Sequence, residues 1–141
     1  MKKAFAILGI VSFLVVVFAM SAYAAHDASP FINNAYRTVS QFVIDTDGTA
    51  TVSAQYIGRT GLTSGATITM KIQKSVSGSW VDVEIGQPNN TWVDTRTTAT
   101  AKITHTYTIT QRGTYRALIT YNISGTGGAN DIFTESIEKT F

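Results

Sequence analysis

The sequence predicts an all-β protein, an antiparallel two-sheet β-sandwich of seven to eight strands, preceded by a helical signal peptide. Three observations predict it. Apolar and polar residues alternate with period two over Thr49 to Tyr56, Ala66 to Lys74, Thr98 to Ile109 and Thr114 to Ile123, the pattern of a strand with one face buried. Turn-forming residues separate these runs at Asp45-Thr46-Asp47-Gly48, Gly58 to Gly65, Ser75 to Ser79 and Gly125-Thr126-Gly127-Gly128. No convincing helical period occurs between residues 25 and 141, and strands without helices must bury their apolar faces against a second sheet.

Lys2 and Lys3 precede an apolar run from Ala4 to Met20 that ends in Ala22-Tyr23-Ala24, the arrangement of a secretory signal peptide. The run has the length of a short transmembrane helix, but small residues at Ala22 and Ala24 suit a peptidase. Cleavage after Ala24 is therefore expected, with a secreted, extracellular product and no membrane span afterwards. Three segments follow: 1–24 as signal peptide, 25–35 as a mobile leader, and 36–141 as the sandwich domain. The leader holds His26, Pro30, Asn33 and Asn34 without periodicity.

Removing the signal peptide changes the charge argument. The chain carries 11 Lys plus Arg against 9 Asp plus Glu, and Lys2 and Lys3 are the whole excess. A neutral mature domain gives no reason to expect nucleic acid or an anionic membrane as partner. The chain has no Cys, so the fold forgoes the ~2–4 kcal/mol that a disulfide commonly adds to a small exported domain.

Taken in order, Tyr36 to Ile44 reads as a strand with Phe42 and Ile44 inward, although Val39 and Val43 fit the opposite register and a bulge would reconcile them. Asp47-Gly48 then marks a hairpin, and Thr49 to Tyr56 turns Ala50, Val52, Ala54 and Tyr56 inward. Gly58 to Gly65 crosses between sheets. Ile68, Met70 and Ile72 face inward on the next strand, and Trp80 to Ile85 returns from the Ser75 to Ser79 turn. Gly86 to Thr97 is turn-rich, leaving only a short strand near Trp92 and Val93. Thr98 to Ile109 is one extended strand, and Tyr115, Ala117, Ile119, Tyr121 and Ile123 share the buried face of the strand after it. Asp131 to Phe141 completes the domain, although the four-residue spacing of Phe133, Ile137 and Phe141 would also suit a helix. Position at the end of an all-β chain decides for strand.

The opening Gly113-Thr114-Tyr115-Arg116-Ala117 resembles the start of strand F in immunoglobulin-like sandwiches, where a Tyr hydroxyl closes a corner onto upstream backbone. Together with Ile72-Gln73-Lys74, the Ser/Gly turn, Trp80 and Val83, it also resembles small exported β-sandwich proteins of Gram-positive bacteria over roughly Ala66 to Ile123. The resemblance implies an immunoglobulin-like or fibronectin-III-like fold more than an activity. Ala54 and Ala117 stand where antibody domains carry a Cys pair, and Trp80 follows a hairpin where those domains place a core Trp before it.

Few residues suggest chemistry. The chain has two His and no Cys. No Gly-x-Ser-x-Gly elbow, paired metal-spaced His or phosphate-cradling Gly loop is present, so no catalytic, cofactor-binding or metal site is expected. Asp45-x-Asp47-Gly48 begins like a calcium loop but lacks the later ligands. Asp82 and Glu84 share a strand face and could act as acid and base, although solvated carboxylates are the commoner case. His105 sits on the apolar side of its strand, where a hydrogen-bonded structural histidine is expected. Thr is abundant and repeats as Thr104-x-Thr106-x-Thr108, which could face ice or polysaccharide but also suits any strand surface.

The candidate ligand-binding residues are Trp92, Trp80, Asn89 and Asn90. Trp92 lies in a turn-rich stretch whose Asn side chains could surround a sugar stacked on its ring. The sequence thus points to a secreted, noncatalytic extracellular binding or structural module that contacts a protein or cell-surface polymer. The alternative is a carbohydrate-binding module using exposed aromatics, and a secreted enzyme is the third reading.

Overall fold

The computed structural model describes residues 33–141 and the backbone of 24–26. The expected signal peptide and most of the leader lie outside the described residues. Among the described residues nine strands form two antiparallel sheets: β1 (Ala24–His26), β2 (Ala35–Ile44), β3 (Thr49–Gly58), β4 (Thr63–Val76), β5 (Ser79–Asp82), β6 (Trp92–Arg96), β7 (Thr100–Thr108), β8 (Thr114–Gly125) and β9 (Asp131–Thr140). One sheet has the order β1-β2-β3-β7 and the other β5-β4-β8-β9, with β6 also paired to β4. Because β3 and β4 lie in different sheets, as do β7 and β8, the chain crosses the core repeatedly. This is the Greek-key path of an immunoglobulin-like sandwich. Among the described residues no helix is long and apolar enough to cross a membrane.

Alternation sets the core. Val52, Ala54, Tyr56, Ile68, Met70, Ile72, Ile103, Tyr115, Ala117 and Ile119 are buried, and Val83 and Tyr107 pack on them from partly buried positions. On β2 the inward set is Thr38, Ser40 and Phe42, all buried, with a register irregularity between Ala35 and Arg37. The β2–β3 hairpin closes through Asp47, whose Oδ1 accepts the Thr49 amide at 2.9 Å. Gly48 is required there: its φ is 87°, and a Cβ would meet the Ile109 carbonyl oxygen at 2.2 Å.

The domain begins earlier than Tyr36. Asn33 and Asn34, assigned above to a mobile leader with Ala35, are fastened to the loop before β9. A single carboxylate, that of buried Asp131, accepts the backbone amides of Asn33 at 2.6 Å, Asn34 at 2.8 Å and Ala35 at 2.8 Å. The Asn34 amide group donates to Ala129 O at 2.9 Å and accepts from Gly127 N at 3.0 Å. Thr63 adds a hydroxyl donor to Asn34 O. Gly125 makes room for this knot, since a Cβ there would lie 2.6 Å from Asn34 Oδ1.

The four-residue apolar spacing on β9 also has a physical origin. Inward positions alternate apolar and charged, Phe133, Glu135, Ile137, Lys139 and Phe141, so a period of two in direction reads as four in hydropathy. Glu135 Oε1 accepts the Thr38 hydroxyl at 3.2 Å, while Oε2 is buried without a partner. Inward-pointing charge is a common way to discourage an edge strand from pairing with another chain.

Candidate functional site

β4 is 14 residues long, long enough for β5 and β6 to share one of its edges. β5 pairs with Gln73 to Val76 and β6 with Ala66 to Met70. The connection between them leaves the sheet, and this arrangement decides where each candidate residue points.

Trp92 points inward, contrary to its expected role as an exposed platform. It pairs with Met70 on the buried parity of β4 and is only 8% exposed. Its ring lies parallel to that of His105, with centroids 5.0 Å apart and an interplanar angle of 1°. His105 Nε2 is 2.6 Å from Asp94 Oδ2, and Arg96 reaches the other Asp94 oxygen at 3.3 Å. The group joins β6 of one sheet to β7 of the other and closes the core there. The turn-rich composition of Gly86 to Thr97 hid this, because β6 is five residues long and shows little alternation.

Asn89 and Asn90 form a short 3-10 turn with Pro88, both with φ near 50°. The Asn90 amide donates to Gln87 O at 2.9 Å, and the Thr91 hydroxyl donates to Asn89 O at 2.9 Å. Asn89 is exposed and borders a shallow depression with Gln87, Pro88, Thr91 and Val93. With Trp92 turned away, no aromatic ring lines it.

Trp80 sits elsewhere, half-buried on the outer face of β5. Cross-strand register aligns Asp82 with Gln73, Gln73 with Arg116, and Arg116 with Glu138, forming a row across four strands. The row is hydrogen-bonded along much of its length. Lys71 Nζ donates to Asp82 Oδ2 at 2.6 Å and Gln73 Nε2 to Asp82 Oδ1 at 2.7 Å, while Arg116 Nε donates to Gln73 Oε1 at 2.8 Å. The Arg116 guanidinium lies 4.4 Å from the Trp80 ring centroid, a cation–π contact. Lys71 and then Gln73 hold the Asp82 carboxyl below the usual carboxylate range. Both oxygens of Asp82 are thus engaged by neighbouring side chains.

The rest of this face is hydroxyl-rich. Thr67 and Thr95 lie 3.1 Å apart, and Thr120 and Thr134 lie 2.7 Å apart, oxygen to oxygen. Val93 and Ile132 stand at its two sides, 64% and 66% exposed. Among the described residues no group of three or more His, Cys, Asp or Glu could hold a metal ion, and Asp47 is engaged in its hairpin. Lys71, Gln73 and Arg116 were not singled out from sequence. Their alternation was visible, but the register that aligns them with Asp82 and Trp80 depends on which strands pair. No family model, curated protein or solved structure matches the chain.

Proposed function

We propose that this chain is a secreted, noncatalytic module that works by contact, presenting the outer face of the β5-β4-β8-β9 sheet to an extracellular protein or cell-surface polymer. The observation that carries this reading is the Arg116–Trp80 pair, whose guanidinium is fixed by Gln73 and through it by Asp82. Trp and Arg dominate interface hot spots, and side chains already ordered in the free protein lose less freedom on binding. The apolar run ending at Ala24 and the resemblance to exported Gram-positive sandwich proteins support export.

Carbohydrate contact is the second reading. The same half-exposed Trp80 ring favours it, flanked by the carboxylate of Asp82 and the amide of Gln73, but Trp92 no longer belongs to it.

The test is binding of the purified protein to intact producer cells, alongside Trp80→Ala and Arg116→Ala variants of unchanged denaturation midpoint. Binding lost in both variants supports the reading, and binding retained in both overturns it. Sensitivity of the cell surface to protease or to glycan-degrading treatment separates protein from carbohydrate. Mass spectrometry of the protein from the culture medium, with Ala25 as first residue, checks export and cleavage.

A further inference from the structure

The sandwich is open at one end, where the edge of β5 faces the end of β7 and the turn leading into β8. A cleft of about 250 Å³ lies there, walled by Val76, Val81, Val83, Tyr107 and Ile109. Two of these side chains stand well out in water, Val76 at 47% and Val81 at 50% exposure. The cleft includes neither Trp80 nor Arg116, shares only Asp82 with the outer-face row, and does not depend on the function proposed for that face.

The polar groups at its rim are unbalanced in charge. Lys74 and Asp82 both border the cleft, but Asp82 is neutralised by Lys71 at 2.6 Å. Lys74 has only neutral partners, donating to Gln111 Oε1 at 2.7 Å and lying 5.7 Å from the Tyr115 ring centroid. Among the described residues no carboxylate forms an ion pair with it. The Tyr115 hydroxyl is already used, donating to Gln111 O at 2.6 Å. An occupant therefore meets apolar walls and one uncompensated positive charge held by an amide that a stronger acceptor can displace. The ammonium donor already strengthens the bond to Gln111, and a carboxylate adds the full opposite charge that the amide lacks.

We propose that this cleft binds a small apolar carboxylate, with the hydrocarbon part against Val81, Val83 and Tyr107 and the carboxylate on Lys74 Nζ. The volume is below the ~300–1,000 Å³ of sites for drug-sized ligands, which limits the ligand to one ring or a short chain. Such a group exists both as a free acid and as the apolar C-terminal residue of a peptide.

The test is an amide-resolved NMR titration of the protein with 3-phenylpropionate, its neutral amide, and Gly-Gly-Phe with free or amidated C terminus. Expected are shifts confined to Val81, Val83, Tyr107 and their neighbours, with each free carboxylate binding about 10-fold tighter than its amide, the factor set by one charge-assisted contact. Lys74→Gln should erase that preference, and Val81→Asp, at an exposed edge position, should abolish binding. Tighter binding of Gly-Gly-Phe than of 3-phenylpropionate assigns the site to peptide ends, and the reverse to free acids. Equal affinity for acid and amide, a preference that survives Lys74→Gln, or the absence of localised shifts overturns the proposal.

Discussion

The hydroxyl of Tyr115 donates to the backbone carbonyl of Gln111 at 2.6 Å, closing a corner between the end of β7 and the start of β8. Burial, and to a lesser extent Tyr107, pushes the Tyr115 hydroxyl pKa up. Tyr115→Phe keeps the ring and removes only this bond. It should lower unfolding free energy by about 0.5–1.5 kcal/mol, measured as a shift of the urea midpoint at constant slope. An unchanged midpoint would show that the corner adds nothing to stability.

The carboxylate of Asp131 holds the start of β2 by accepting three consecutive amides. Asp131→Ala strands those donors, and hydrogen bonds to charged groups contribute ~1.5–3 kcal/mol each, so a loss of at least ~3 kcal/mol is expected. Hydrogen exchange locates the effect: Asn33, Asn34 and Ala35 should exchange much faster in the variant, with β4 and β8 changed only as far as global stability falls. Uniform acceleration with no excess at these three amides would contradict a local clasp.

These two features show what the sequence disclosed and what it withheld. Tyr115 and Gln111 are four residues apart, so the motif that joins them is visible in one stretch of chain. Asp131 and Asn34 are 97 residues apart, and nothing in the local pattern of either points to the other. The core was legible because period-two alternation records burial directly, as Val52, Ala54 and Tyr56 show. The outer-face row was not, because Gln73, Arg116 and Asp82 come together only through pairing between strands. Trp92 was hidden because loop-like composition surrounds a short edge strand whose side chains still alternate inward and outward.

Asp82 gives the fold a modest acid sensitivity whose sign follows from its depressed pKa. A carboxylate lowered by Lys71 and Gln73 contributes stability fully above the ordinary value of 3.8 and loses it as pH falls below that value. Its side chain is 32% exposed, and such a screened pair is worth under about 1 kcal/mol. Asp82→Asn should therefore reduce stability slightly at pH 7 and flatten the decline below pH ~4, the range in which the wild-type carboxylate takes up its proton. Parallel stability curves for the two proteins from pH 7 down to pH 2.5 would rule this out.

The two tryptophans should separate stability from binding. Trp92 fills the junction between β6 and β7 and stacks on His105, so Trp92→Ala should cost ~3–5 kcal/mol, the usual loss for deleting a large aromatic from a core. Trp92→Phe retains a ring for the stack and should cost clearly less. Trp80 rests on the surface beneath Arg116, and Trp80→Ala should cost no more than ~1 kcal/mol, the scale of an exposed cation–π contact. Chemical denaturation of the three variants measures these differences, and cell binding measured on the same preparations supplies the contrast. Trp80→Ala should be folded and weak in binding, whereas Trp92→Phe should be somewhat destabilised and bind as the parent does. If Trp92→Phe alone loses binding while Trp80→Ala keeps it, the contact lies at the β6–β7 edge and not on the outer face of β5.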